Sequence, residues 1–195
     1  MIDLDGPNYP FLANLAIVAS AVTGRPLSDF SATQDEWSGF IDNWGITMEQ
    51  FYVLFALGLK EHGLMWEGDP VEGAVEGWVT LAAKPDTYLH VVTARMPFGA
   101  EEEAREATHF WLATLGLYAD QISFRDDKVN AVRENIFLEG MNEEDLRIMT
   151  IDDKPDHCIA YADAGWESYV FDLPSNRHVD LPRVGSMLEW ANLTS

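Results

Sequence analysis

Short apolar runs alternate with longer helical patterns over the second half of this chain. Residues 88–92, 121–124 and 146–151 are brief and rich in β-branched or aromatic side chains, and a helical pattern follows each of them. A further run of this kind covers residues 168–171. Strands that alternate with helices at this spacing are typical of a parallel sheet. The pattern therefore predicts an α/β fold built on a doubly wound parallel sheet.

The amino-terminal residues add a candidate site to this sheet. The chain opens Met-Ile-Asp-Leu-Asp-Gly, which places carboxylates at Asp3 and Asp5 and a glycine at Gly6. Side chains two apart on a strand leave the same face, so these two carboxylates can converge on one ligand. Such a pair is costly unless a cation, a substrate or a shared proton lies between its members. An isolated pair is more often a solvated loop, so its interpretation depends on the rest of the chain.

The residues between this amino-terminal segment and the next predicted strand read as helical. Capping boxes at residues 33–36 and 47–50 each precede an apolar run with helical period, and Gly24 begins a stop signal. At 195 residues the chain has room for one domain with an insertion. We predict a helical cap inserted between the first and second strands of the core. The predicted boundaries are residues 1–12 and 78–195 for the core and 13–77 for the cap.

The charge of the chain restricts its partners. With 33 acidic and 12 basic residues the formal net charge is −21, which repels DNA and anionic membranes at long range. We therefore expect neither duplex nucleic acid nor a membrane as a partner. An anionic small molecule stays possible, because a bound divalent cation and a few placed bases reverse the local field. The composition leaves the oligomeric state open.

The cysteine content and the apolar runs bear on the compartment. The single cysteine, Cys158, excludes an internal disulfide framework and suits a reducing environment. No run reaches the roughly 18 to 20 apolar residues of a membrane span. No basic region precedes the apolar run near the amino terminus, so we expect no signal peptide. These features predict a cytoplasmic location.

Polar side chains follow the predicted strands at the points where they end. Parallel strands deliver their carboxyl ends to one edge of a sheet, which is where ligands bind. The side chains there are carboxylates, one hydroxyl and one ammonium, on Asp3, Asp5, Thr93, Lys128, Asp152 and Asp153. Phosphoryl transfer uses these groups, because it needs a nucleophile, neutralisation of the phosphoryl oxygens and an acid for the leaving oxygen. The sequence has no glycine-rich nucleotide loop and no nucleophile elbow.

Four short motifs, in this order, resemble those of the haloacid dehalogenase superfamily of aspartate-nucleophile phosphohydrolases. They are Ile2-Asp3-Leu4-Asp5-Gly6, Val91-Val92-Thr93-Ala94-Arg95, Asp127-Lys128 and Ile151-Asp152-Asp153-Lys154-Pro155. The resemblance implies a Rossmann-like core with a helical cap between its first and second strands. A cap at that place, together with Phe11 shortly after Gly6, is similar to the cytosolic 5′(3′)-deoxyribonucleotidase branch.

The resemblance also implies a catalytic role for individual residues. Asp3 would attack phosphorus and form an aspartyl phosphate, which is covalent catalysis by a carboxylate. Asp5 would protonate the leaving oxygen and then activate water, as a general acid and base. Thr93, Ala94 and Lys128 would bind the phosphate oxygens of a small-molecule ester.

Magnesium is the cofactor that the resemblance implies. Asp3, the backbone carbonyl of Asp5 and the carboxylate of Asp152 would bind Mg²⁺. Asp153 would act as a further ligand or as a neighbour of the ligands. Phe11 could stack on the leaving group of the substrate, although phenylalanine at helical spacing is more often part of a core.

Three other residues allow two interpretations each, and two further features depart from the pattern of the family. Trp37 and Trp44 are candidates for stacking on the leaving group, although tryptophan at helical spacing is more often part of a core. Arg95 can contact an anion or pair with an acid at the strand end. Pro7 removes a backbone N–H from the turn after the second aspartate. The first strand has only two residues before Asp3, whereas strands usually run to about five or six.

Three functions fit these observations. The first is a Mg²⁺-dependent phosphomonoesterase that acts through Asp3 on a nucleoside monophosphate or another small phosphorylated metabolite. The second is a non-catalytic phosphate- or nucleotide-binding module, which the short first strand and Pro7 favour. The third is a phosphodiesterase in which the acidic residues hold two metal ions and no covalent intermediate forms.

Overall fold

A parallel sheet forms the centre of the molecule. The computed structural model describes residues 1–31, 39–97 and 99–193. In these ranges it has five strands, all paired in parallel. The strands are β1 (His90–Thr93), β2 (Gln121–Phe124), β3 (Met149–Asp152), β4 (Glu167–Phe171) and β5 (Arg183–Val184). The predicted α/β class with a parallel sheet is confirmed, and β5 is an addition that the sequence did not indicate.

The amino-terminal segment, residues 1–3, lies in the middle of this sheet. Ile2 bridges Val91 of β1 on one side and Ile151 of β3 on the other, in parallel on both sides. The Ile2 amide donates to the His90 carbonyl at 2.9 Å, and the Asp3 amide donates to the Ile151 carbonyl at 3.0 Å. The order across the sheet is therefore β2, β1, the amino-terminal segment, β3, β4, β5. From the amino-terminal segment the strand order runs to one side of the sheet through β1 and β2, and then to the other side through β3, β4 and β5. Doubly wound sheets bind ligands at the point where the strand order changes sides.

Eight helices occur in the described ranges. They are α1 (Phe11–Thr23), α2 (Gly39–Trp44), α3 (Met48–Glu61), α4 (Ala74–Ala82), α5 (Glu101–Thr114), α6 (Lys128–Leu138), α7 (Pro155–Asp163) and α8 (Met187–Leu193). None of them is both long and apolar enough to cross a membrane.

Local signals account for several of the helix ends. Gly24 ends α1 with φ +71°, a left-handed conformation that glycine adopts at low cost. Thr47 begins α3 with the predicted capping box, in which its side chain accepts from the Gln50 amide and its own amide donates to the Gln50 side chain. Both predictions are confirmed. The capping box predicted at residues 33–36 lies outside the described residues.

Helices α1 to α4 come between the amino-terminal segment and β1 in the chain, yet they share one apolar core with the sheet. Leu15 of α1 and Phe55 of α3 belong to the same buried cluster as Leu4 and Val91. Helix α4 packs closely against α8 at the other end of the chain. The division into a core and a cap at the predicted boundaries stays a prediction.

The close approach of α4 to α8 generates a stability prediction. A Cβ atom on Gly77 would lie 2.4 Å from the Met187 carbonyl carbon and 2.6 Å from its oxygen, both backbone atoms. We expect Gly77→Ala to lower the free energy of unfolding by about 1–3 kcal/mol through overpacking, although alanine gains about 1 kcal/mol of helix propensity. Urea unfolding monitored by circular dichroism measures the change.

Gly58 of α3 is the matched control for this substitution. A Cβ there would meet the side chain of Leu64 at 2.8 Å, and a side chain can move. We expect Gly58→Ala to lower the stability less than Gly77→Ala does. Equal losses in the two variants would contradict the backbone contact between α4 and α8.

Candidate active site

A buried ammonium group holds two carboxylates together at the carboxyl ends of the central strands. Lys128 Nζ lies 2.8 Å from Asp3 Oδ1 and donates to Asp152 Oδ2 at 2.8 Å. Lys128 is the first residue of α6, and the side chain of Asp127 caps that helix by accepting from the Asn130 amide. Three separate parts of the chain, which the sequence predicted to converge, therefore meet at one lysine.

The carboxylate of Asp152 is fully buried and accepts three hydrogen bonds. Besides Lys128, the Tyr161 hydroxyl donates to Asp152 Oδ2 at 2.8 Å, and the Lys154 amide donates to Oδ1 at 3.0 Å. His157 Nδ1 lies 3.3 Å from Oδ2. Burial opposes ionisation of this group, but Lys128 and His157 outweigh it and hold the pKa of Asp152 well below its usual range.

Asp153 has the opposite environment. Its carboxylate accepts no hydrogen bond from the described residues, while its backbone carbonyl accepts one from the side chain of Asn176 at 2.9 Å. Burial, followed by the charges of Asp3 and Asp152, raises the pKa of Asp153 well above its ordinary value. Burial likewise raises the pKa of Asp3 to about 7 against the opposing effect of Lys128, with Asp152 and Asp5 adding to the rise. The single positive charge of Lys128 therefore does not balance the negative charges of Asp3, Asp152 and Asp153.

This deficit fits a divalent cation. Carboxylate oxygens of Asp3, Asp152 and Asp153 lie within 4.8 Å of one another, and oxygen is the ligand that hard cations prefer. The carboxylate of Asp153 is the group that gains most from a cation, since it accepts no hydrogen bond from the described residues and the opposing charge of Lys128 does not prevent the rise of its pKa. Asp152, by contrast, already accepts three hydrogen bonds. The role of Asp152 as a metal ligand stays a prediction.

A tight turn places Asp5 next to this cluster. Gly6 has φ +83°, and a Cβ atom on it would lie 2.6 Å from Asp153 Cγ. The Asn8 side chain donates to the Asp3 carbonyl at 2.7 Å, and the Tyr9 amide returns to the Leu4 carbonyl at 2.8 Å. The glycine that closes the first motif is therefore required both by its backbone conformation and by the approach of Asp153.

Asp5 forms an ion pair with Arg95, which settles the two interpretations of that arginine. Arg95 Nη2 donates to Asp5 Oδ1 at 2.7 Å, and Nε lies 3.1 Å from both oxygens. Arg95 is buried, donates to the Thr108 hydroxyl at 3.2 Å and lies 5.0 Å from the centroid of the Tyr9 ring. Arg95 therefore pairs with an acid at the strand end, which is one of its two predicted interpretations, and it holds Asp5 in place.

The remaining predicted residues differ in where the structure places them. Thr93 ends β1, is fully buried, and has a hydroxyl with no partner among the described residues. Ala94 and Phe11 line a cavity of about 880 Å³, which Asp3, Asp5, Lys128 and Asp153 also line. Trp44 is fully buried in contact with Phe30 and Phe40, as the core interpretation predicted. Trp37 lies outside the described residues.

Three residues that support the site are not among the predicted site residues, although the sequence places Asn176 in a turn that could steady this edge of the site. The Asn176 side chain donates to the Asp153 and Phe171 carbonyls at 2.9 and 2.7 Å, and it accepts from Arg183 Nη1 at 2.9 Å. Asn176 fits an ordinary turn, and the two-residue strand that holds Arg183 has no visible period. Tyr161 is the third such residue, and nothing in the sequence connects it to Asp152.

The fold and the site together define a doubly wound α/β protein with an acidic cluster at its switch point. No family model matches this chain, and no curated protein matches it in sequence. A haloacid dehalogenase-like family hydrolase from Streptococcus pneumoniae aligns with 100% of this chain and 96% of its own, at a TM-score of 0.61 and 13% identity. A HAD-superfamily hydrolase of subfamily IA from Geobacter sulfurreducens covers 98% and 96%, at 0.51 and 18% identity. This chain therefore has the haloacid dehalogenase-like fold.

The turn at Gly6 generates a prediction about metal binding. We expect Gly6→Ala to displace Asp153 and to reduce both the stability of the protein and its stabilisation by Mg²⁺. Gly24→Ala is the matched control, because Gly24 also has a positive φ but a Cβ there would meet nothing within 4 Å. Both variants carry the backbone strain of about 1–3 kcal/mol, whereas only Gly6→Ala should lose the Mg²⁺ response in thermal unfolding. An unchanged response in Gly6→Ala would contradict the inferred contact.

The unlike environments of Asp153 and Asp152 generate a prediction that depends on pH. Because the pKa of Asp153 is raised in the folded state, its ionisation destabilises the metal-free protein increasingly as pH rises above about 4. Asp153→Asn should therefore stabilise the metal-free protein at pH 8 and do so less at pH 5, as thermal unfolding at the two pH values would show. It should also abolish the stabilisation by Mg²⁺.

Asp152→Asn should do the reverse in the same measurement. The pKa of Asp152 is lowered in the folded state, so its charge stabilises the protein at every pH above its ordinary value of 3.8. Removing that charge leaves Lys128 with one carboxylate and lowers the melting temperature at both pH 5 and pH 8. Similar effects of the two substitutions at pH 8 would contradict the assignment of different roles to the neighbouring aspartates.

Proposed function

We propose that this protein is a Mg²⁺-dependent phosphomonoesterase that uses Asp3 as its nucleophile. Its proposed substrate is a nucleoside monophosphate or another small phosphorylated metabolite. The observation that carries the proposal is the position of the Lys128 ammonium, 2.8 Å from the Asp3 carboxylate, at the switch point of the sheet and beside the unpartnered carboxylate of Asp153. The likeness in fold to solved structures described as hydrolases supports it.

The proposed reaction has two steps. In the first, an Asp3 carboxylate oxygen forms a bond to phosphorus while the bond from phosphorus to the leaving oxygen breaks. In the second, water attacks phosphorus, the bond to Asp3 breaks, and phosphate leaves with the Asp3 carboxylate restored. Lys128 neutralises charge on the phosphoryl oxygens in both steps. Thr93, which the resemblance implies as a further donor, has an unpartnered hydroxyl but is not among the described residues that line the cavity.

Asp5 is the proposed carrier of the proton. It would give a proton to the leaving oxygen in the first step and accept one from water in the second. The ion pair with Arg95 holds Asp5 at the wall of the cavity.

The residues proposed to hold magnesium are Asp3 and Asp153, with Asp152 and the carbonyl of Asp5 as the further ligands implied by the resemblance. Bound there, the cation would neutralise charge on the phosphoryl group and on the three carboxylates. The raised pKa values of Asp3 and Asp153 support this assignment, because a cation favours the ionised forms that the nucleophile and the ligand require.

Phosphate release measures the proposed activity. We expect the purified protein to release phosphate from nucleoside monophosphates or an aryl phosphate with Mg²⁺, and not with a chelator. Asp3→Asn should lower kcat by roughly a thousandfold or more, as loss of a nucleophile does in other enzymes. Asp163→Asn, a substitution at an exposed position of α7, should leave the rate unchanged and serves as the control.

Other outcomes of this experiment identify the other two functions. Binding of inorganic phosphate by calorimetry, without release of phosphate from any ester, would identify a binding module. Hydrolysis of a phosphodiester that survives Asp3→Asn would identify a reaction without an aspartyl phosphate. Mass-spectrometric detection of a phosphate mimic trapped on Asp3 separates the proposed reaction from both.

A further inference from the structure

The cavity beside the acidic cluster has two unlike ends. At one end lie the charged groups described above. The other end is lined by apolar side chains of α1, α2 and α3, among them Phe11, Phe40, Met48, Phe51 and Phe55. A ligand that places a phosphoryl group beside Lys128 therefore extends its remaining part toward the apolar end.

The aromatic side chains of this end form a continuous wall. The ring centroids of Phe11 and Phe55 lie 5.0 Å apart, those of Phe55 and Phe51 lie 6.0 Å apart, and those of Phe51 and Phe40 lie 5.3 Å apart. Met48, at the start of α3, also lines the cavity and is 47% exposed. Phe40, Phe51 and Phe55 are themselves almost fully buried. An apolar group placed here therefore gains chiefly by removing its own surface and that of Phe11 and Met48 from water.

The charges around the cavity disfavour binding of a ligand that carries a second anionic group. Each cation among the described lining residues faces an acid. Arg95 pairs with Asp5, Lys128 lies between two aspartates, and Lys154 Nζ lies 3.9 Å from Asp126. The acids among the described lining residues are Asp3, Asp5, Asp126, Asp153 and Asp172. These acids would repel a carboxylate or a second phosphate on the ligand, and each lysine or arginine among the described lining residues already lies near an acid.

We infer that the substrates of the proposed phosphatase are monophosphates whose leaving group carries an apolar ring and no second anionic group. Met48 and Phe51 of α3 select that ring. This inference rests on the proposed function, and it narrows the substrate to esters of neutral, ring-bearing alcohols over sugar phosphates, bisphosphates and phosphorylated acids. The cavity, at about 880 Å³, has the size of sites that bind drug-sized molecules.

A series of primary alkyl phosphates tests the inference, because their leaving oxygens are alike in basicity. We expect kcat/KM for 2-phenylethyl phosphate to exceed that for glucose 6-phosphate and for 2-(4-carboxyphenyl)ethyl phosphate by roughly 10- to 100-fold. Equal values across the series, with turnover present, would overturn the inference and leave the proposed function standing.

A matched pair of variants locates the selection on α3. Met48→Lys should lower kcat/KM for 2-phenylethyl phosphate by about tenfold and narrow its advantage over the carboxylated ester. Val53→Lys is the control, because Val53 lies on the same helix at 53% exposure and is not among the described residues that line the cavity. Inhibition by inorganic phosphate should be the same in both variants. Equal loss in the two variants would contradict selection by the cavity wall.

Binding measurements separate the inference from the proposed function. Calorimetry compares 2-phenylethylphosphonate with methylphosphonate, neither of which is hydrolysed, in the presence of Mg²⁺. Roughly 10- to 100-fold tighter binding of the ring-bearing compound supports the apolar end of the cavity even if no ester is turned over, in which case the proposed activity fails alone. Equal binding of the two phosphonates would overturn the inference by itself.

Discussion

The ion cluster of Lys128 with Asp3 and Asp152 is the interaction on which the site depends. It joins the amino-terminal segment, the start of α6 and the end of β3, which are far apart in the chain. All three side chains are buried, so removing one partner leaves an uncompensated charge in a low-dielectric interior, which costs several kcal/mol. The cluster therefore holds the ends of the amino-terminal segment and of β3 against the start of α6, and with them the proposed nucleophile.

The same cluster is electrostatically incomplete, and this explains why its aspartates behave differently. Lys128 satisfies Asp152, together with Tyr161 and a backbone amide, whereas Asp153 receives no hydrogen bond from the described residues. Burial, together with the charges of the neighbouring carboxylates, raises the pKa values of Asp3 and Asp153. Groups whose pKa values diverge at one sheet edge are a common feature of functional sites, and here the divergence distinguishes an anchoring carboxylate from one that a cation would stabilise.

Features with local causes could be predicted from the sequence, and features that depend on packing could not. The alternating runs predicted the parallel sheet, and sheet topology then predicted that Asp3, Lys128 and Asp152 converge. Gly24 ends a helix because of its own backbone. By contrast, the Arg95 pair with Asp5 was one of two equal possibilities, since the choice depends on where α5 and Tyr9 bury the guanidinium. The supporting roles of Asn176 and Tyr161 depend on distances that no spacing encodes.

Tyr9 contacts both the arginine that holds Asp5 and the loop that follows α3. Its ring lies 5.0 Å from the Arg95 guanidinium that holds Asp5, and its hydroxyl accepts from the Met65 amide at 2.8 Å and donates to the Glu67 carbonyl at 3.1 Å. Met65 has φ +65°, a costly conformation for a residue other than glycine, and lies in the loop after α3. Because Met65 is fully buried and Tyr9 bonds to its amide, a single residue next to the first motif contacts both this loop and the arginine that positions Asp5. The packing after α3 and the placement of the proposed proton carrier therefore share one buried side chain.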